Sequence, residues 1–230
     1  MRIPPLPLAL WLAGGLLTSS TGLMAAGLPA DAFVGDSFTV SAGHREAGSS
    51  LVGQAAEVGG RTWSGVGQPI VSVESNVTVA TKDPAMGLLE LTKPNSAMSL
   101  SADLQPNGTG FVALALLPNR SPGDFWKSAA VWVLMASSGD YEIYARGTEK
   151  LLKKGTGGDY GFKPGEFNHV ELFCDPFSAT VSVRMNGATV LSKTVVADLP
   201  PLVCAAFRFN ENATPNEAKL DNFAVQPASF

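Results

Sequence analysis

Carboxylates two or four residues apart on a strand share a face, and two such groups about 5 Å apart can serve as nucleophile and acid/base in glycoside hydrolysis. Glu171 and Asp175 have that spacing, but Phe173 lies between them and Pro176 ends the strand, which reads as a solvated strand face. Asp140 precedes Glu142 by two residues but belongs to the turn Ser138-Gly139-Asp140, and Glu90 in Leu89-Glu90-Leu91-Thr92 has no acid beside it. His44 and His169 lack the spacing of a metal cluster. No G-x-S-x-G nucleophile elbow occurs. Gly155-Thr156-Gly157-Gly158-Asp159-Tyr160-Gly161 has the glycines of a phosphate loop. No helix pattern follows to present its N-terminus to an anion, so the segment reads as a flexible loop.

Two cysteines, Cys174 and Cys204, are compatible with a disulfide in an oxidising compartment. Alternation turns Cys174 inward with Val170 and Leu172. It turns Cys204 away from Val203, Phe207 and Phe209, so without a bulge the two remain buried free thiols.

Period-two patterning dominates the chain and helical periodicity is nearly absent. In residues 179–186 the apolar Val181, Val183 and Met185 alternate with Thr180, Ser182 and Arg184, and Asn186-Gly187 joins this run to residues 189–193. Asn-Gly between alternating runs signals a tight hairpin, because both turn residues must tolerate positive φ. Residues 75–80 and 99–104 alternate as well. Residues 111–117 and 129–135 are apolar at nearly every position, which predicts central strands covered on both faces, by the opposing sheet and by a loop or groove wall. Residues 148–154 read as a short helix or a strand. Strands separated by Gly, Pro, Asn and Asp clusters predict an all-β fold, a two-sheet antiparallel β-sandwich of jelly-roll type.

The first 26 residues read as a signal peptide: Arg2, an apolar run over 6–17, a polar break over 18–21 and small residues at 25–27. The run falls short of a membrane-spanning helix of about 20 residues. Cleavage near Ala26 leaves no cysteine at the new N-terminus for lipidation. The expectation is a secreted, periplasmic or cell-surface protein with one β-sandwich domain over 27–230, its core about 31–227. That segment carries 15 basic and 20 acidic side chains, net −5. With no long basic run it is not expected to bind nucleic acid. Asn-x-Ser/Thr acceptor patterns occur at Asn76, Asn107, Asn119 and Asn212.

Three segments carry a family resemblance: Asp36-Ser37-Phe38 with the later Gly53–Gly60 stretch and Thr62-Trp63, the run Val181-Ser-Val-Arg-Met-Asn-Gly187, and Lys219-Leu-Asp-Asn-Phe-Ala-Val225. Together they resemble the concanavalin A-like lectin/glucanase superfamily, in particular its laminin-G-like bacterial secreted domains. The resemblance implies a sandwich whose opening and closing strands lie side by side. Its laminarinase-type hydrolases carry E-x-D-x-x-E on one strand, and this chain has no such motif. Many members hold calcium with carboxylate and backbone oxygens, which makes Asp36 and Asp221 candidate calcium ligands. Glycan recognition needs an aromatic platform beside polar groups. Phe125 and Trp126 are the first candidates and Tyr160 with Phe162 the second, with Asn119, Arg120 and Asp159 as polar partners and Trp63 and Trp132 in the core. The function implied is a non-catalytic carbohydrate-binding or cell-surface module, with a glycan or a cell-surface protein as partner. An adhesive sandwich and an enzyme with a site assembled from distant loops are the alternatives.

Overall fold

The computed structural model describes residues 27–41, 45–67, 70–73, 77–80, 85–121, 124–209 and 218–228. Residues 1–26, where the signal peptide is expected, and His44, Asn76 and Asn212 lie outside the described residues. The strands are β1 (Val34–Asp36), β2 (Ser64–Gly67), β3 (Ile70–Val73), β4 (Val77–Ala80), β5 (Ala85–Glu90), β6 (Met98–Gln105) and β7 (Phe111–Leu117). They continue as β8 (Val131–Ala136), β9 (Asp140–Ala145), β10 (Lys150–Thr156), β11 (Asn168–Asp175), β12 (Thr180–Met185), β13 (Ala188–Val195), β14 (Cys204–Phe209) and β15 (Lys219–Pro227). A single-turn helix α1 (Phe125–Ser128) and a 3-10 turn at Gly157–Tyr160 complete the set.

These strands form two antiparallel sheets, an all-β sandwich of jelly-roll, concanavalin A-like type. The eight-stranded sheet runs β13-β12-β11-β6-β15-β4-β3, with β1 beside β15, and the seven-stranded sheet runs β10-β9-β8-β7-β14-β5-β2. Opening strand β1 therefore lies against closing strand β15, pairing Val34 with Val225 and Asp36 with Phe223.

Alternation decides what fills the space between the sheets. Leu100, Ala102 and Leu104 of β6, Val170, Leu172 and Cys174 of β11, and Val181, Val183 and Met185 of β12 all point into it. Trp63 anchors one end, its ring 5.4 Å from both Phe207 and Phe223. Tilted and edge-on ring contacts of this kind add about 0.5–1.5 kcal/mol per pair beyond area burial. Gly87 permits the crowding, since a Cβ there would meet the Phe207 ring at 2.7 Å.

The Asn186-Gly187 corner closes the β12–β13 hairpin with φ of 49° and 81°, as a turn of that sequence requires. Residues 150–156 resolve as strand β10 rather than helix. The apolar runs are central strands β7 and β8, and their second face is covered by the β7–β8 connection.

Of the two readings of the cysteines, the free thiols hold. Cys174 sits in the inter-sheet core on β11, while Cys204 points to the outer face of the opposite sheet, so both are buried free thiols. Trp132 is a buried core residue as expected, and the core it fills is the smaller cluster on the outer face of the seven-stranded sheet.

Candidate functional site

An apolar cluster outside the sandwich interior needs its own cause. On the outer face of the seven-stranded sheet, backbone register aligns Tyr144, Trp132, Ala115, Ala206 and Leu88 in one row across β9, β8, β7, β14 and β5. The next row is Glu142, Leu134, Ala113, Arg208 and Met86. The three alanines leave a trough in the middle of the sheet, and the β7–β8 connection lays its aromatic pair into it. Asp124 starts α1 by accepting hydrogen bonds from the amides of Trp126 (2.9 Å) and Lys127 (3.3 Å), which satisfies donors left free at a helix start. The cap fixes where Phe125 and Trp126 project.

Phe125 is 1% exposed and fills the trough, whereas Trp126 is only half-buried. The indole of Trp126 contacts Phe125 and Trp132 at 4.7 Å and Phe111 at 5.5 Å, and the Arg208 guanidinium lies 5.1 Å from its ring centre. Tyr144 stacks on Trp132 at 4.6 Å and 19° as its cross-strand partner, and Trp132 Nε1 donates to Gly147 O at 2.9 Å. Tyr144, Leu134 and Glu142 remain half-buried beside this lane. Apolar rings with charged groups at their margin suit a ligand that presents both C–H faces and hydroxyls.

The predicted site residues separate. Asn119 and Arg120 are exposed in the connection that carries Trp126, and Arg120 forms an ion pair with Glu90. Tyr160 packs instead against the inter-sheet core, with its hydroxyl accepting from Lys153 Nζ at 3.0 Å, and Asp159 is exposed beside it. The Lys153 hydrogen bond lowers the Tyr160 pKa, and burial pushes Tyr141 up to about 12. Lane members Phe111, Trp132, Tyr144 and Arg208 were missed in the sequence. The pairing that aligns them is written in no single segment.

Asp36 and Asp221 point to opposite faces. Asp36 pairs with Phe223 on the core side, whereas Asp221 pairs with Asp103 on the outer side of the eight-stranded sheet. Asp36 Oδ1 accepts from Phe38 N (2.7 Å) and Arg45 Nη1 (2.8 Å), and Oδ2 accepts from Arg45 Nη2 (2.8 Å) and Trp63 Nε1 (2.7 Å). A carboxylate has about four lone-pair directions, and all are taken. Burial raises Asp221 to about 7, which disfavours the charged form a calcium ion needs. No group of three or more His, Cys, Asp or Glu side chains able to hold a metal ion occurs among the described residues. Asp36 and Asp221 do not fit a shared calcium ion.

A polar knot occupies the outer side of the eight-stranded sheet. His169 Nδ1 meets Asp103 Oδ1 at 2.7 Å, and Asn222 Nδ2 donates to Asp103 Oδ2 at 2.8 Å. Asn222 reaches it from a bulge in β15, at φ 50°. The Asp103 hydrogen bond raises the His169 pKa.

No protein-family model matches the chain, and no curated protein does. Solved structures do. The metal-free exoplasmic/lumenal domain of VIP36 superposes with a TM-score of 0.54 at 8% identity, covering 84% of this chain and 95% of that one. The potassium-bound carbohydrate recognition domain of Emp46p gives 0.50 at 13% identity, covering 73% and 89%. A galectin-like-fold protein of unknown function from Bacillus subtilis gives 0.50 at 14% identity, covering 71% and 88%. At such identities the likeness establishes the fold, which this chain shares with carbohydrate recognition domains.

Proposed function

We propose that this protein is an exported, non-catalytic carbohydrate-binding module, a laminin-G-like bacterial domain that holds a glycan on the outer face of its seven-stranded sheet. The carrying observation is the aromatic lane of Trp126, Trp132 and Tyr144, set outside the inter-sheet core and left half-exposed at Trp126 and Tyr144. A sugar's C–H face packs on such rings, while Arg208 and Glu142 stand in the adjoining row to meet hydroxyls. Two related folds support the reading: Emp46p supplies a carbohydrate recognition domain, and the VIP36 domain is known in a Ca2+/Man3GlcNAc-bound form. In this reading Asp36 and Asp221 take no part in gripping the glycan through a shared calcium ion, because Asp36 is already saturated by Arg45, Trp63 and the Phe38 amide.

Binding of purified residues 27–230 to an array of bacterial, plant and animal glycans tests the proposal. The expectation is a restricted set of positive glycans whose signal disappears in Trp126→Ala. A folded protein that leaves every glycan unbound sinks it.

A further inference from the structure

The corner where β1 meets β15 is rich in acids. Asp36, Glu57, Asp103 and Asp221 lie close enough that Asp103, Glu57 and Asp36 each disfavour ionisation of Asp221. Glu57 is stabilised as a carboxylate by local donors, accepting from the Ser37 and Thr39 amides at 3.1 and 2.7 Å. Asp36 is different, with a side chain 0% exposed on the core side of the sheet. An isolated carboxylate cannot remain charged there without a cation.

Arg45 supplies it. Its side chain is also 0% exposed. The guanidinium straddles Asp36 with two parallel bonds of 2.8 Å, sends Nε to Gln54 Oε1 at 2.6 Å, and makes a further contact of 3.4 Å with Ala55 O. Fork-to-fork pairing of this kind is the geometry guanidinium favours and a lysine cannot copy. Backbone bonds between Ser41 and Arg45, both 3.1 Å, hold the arginine at its post.

We propose that the Arg45 guanidinium is the resident cation of this corner, a tethered counter-ion that saturates Asp36 and makes the sandwich independent of divalent metal. The same group that balances Asp36 also bars a dication by charge and by occupying both carboxylate oxygens. Calcium therefore has no role in holding β1 against β15 in this chain. This does not rest on the glycan reading, because its test reads thermal stability and not binding.

Thermal unfolding of residues 27–230 is followed in 5 mM EDTA and in 5 mM calcium chloride, for wild type, Arg45→Met, Asp36→Asn and the double variant. Wild type should unfold within about 1 °C of the same temperature in both buffers. Each single variant should lose roughly 10 °C, since each leaves a buried group without its partner. The double variant should recover at least half of that loss, because neither charge remains to be balanced. A wild-type shift of more than about 2 °C between the buffers overturns metal independence. A double variant as unstable as Arg45→Met, or one that does not fold, overturns the counter-ion role. If Arg45→Met itself fails to fold, recovery in the double variant still decides.

Discussion

Replacing Trp126 by alanine separates what its ring does for the fold from what it does for a ligand. The indole is half-buried against Phe125, Trp132 and Phe111. An aromatic side chain of this size buries about 150–250 Å2 when fully covered. Half of that at about 25 cal/mol per Å2 is roughly 2.5 kcal/mol, and the lost ring contacts bring the cost near 3 kcal/mol. Phe125→Ala should cost more, about 3–5 kcal/mol, because that ring is 1% exposed and its removal leaves a cavity. Urea unfolding at 25 °C measures both. Binding should rank the two differently. Trp126→Ala removes a contact surface worth about 2 kcal/mol, a Kd near 30-fold weaker, as for a central anchor of an interface. Phe125, buried beneath, should weaken binding only as far as it shifts Trp126. A Trp126→Ala protein that loses about 3 kcal/mol of stability yet keeps its glycan affinity would refute the platform role and leave Trp126 as a plug.

Thermal stability should fall as pH rises from about 4 through 7. Asp221, raised to about 7 by burial, contributes stability that is full below its unfolded value and lost as pH climbs through 7. His169, raised by its bond to Asp103, acts with the same sign, and Asp221→Asn should flatten the profile measured by calorimetry. Glu57, lowered by the Ser37 and Thr39 bonds despite its burial, has the opposite sign, but its stabilisation is lost only as pH falls below the usual carboxylate range. Both thiols should react with a disulfide reagent within minutes in guanidinium chloride and far more slowly in native protein, since burial pushes Cys174 up to about 12 and Cys204 to about 11. Migration that changes on reduction would contradict the free thiols. Gly87→Ala should cost about 1–3 kcal/mol by overpacking Phe207 and Trp63, read from urea unfolding, and a neutral result would mean the core end is looser than its ring contacts imply.

Strand order aside, the sandwich was legible. Alternation in residues 99–104 and 179–186 assigns their inward side chains correctly, and Asn186-Gly187 marks its hairpin. Parity even placed Cys174 and Cys204 on unlike faces. Where both faces are apolar, alternation loses its meaning, and that is why the run did not show which side of its sheet Trp132 covers. Its cross-strand stack on Tyr144 depends on the β8–β9 register, which the local pattern does not encode. Likewise Arg208 sits 82 residues after Trp126 in the chain and reaches it only because β14 inserts between β7 and β5. Asp36 and Asp221 were correctly placed on adjacent strands. A β-bulge at Asn222 and the inward face of β1 then set them apart. The Arg45 contact that occupies both Asp36 oxygens was invisible because nothing in the spacing of 36 and 45 signals a fork-shaped pair.

Side-chain and amide resonances of isotope-labelled residues 27–230, followed by NMR while the best array glycan is added, test the aromatic lane most directly. The indole Nε1–H of Trp126 and the amides of Tyr144, Leu134 and Arg208 should shift together in a saturable way, while the Trp63 indole in the core stays fixed. Shifts confined to the opposite sheet around His169 and Asp103, with the Trp126 indole unmoved, would place the ligand elsewhere and overturn the lane as the binding surface.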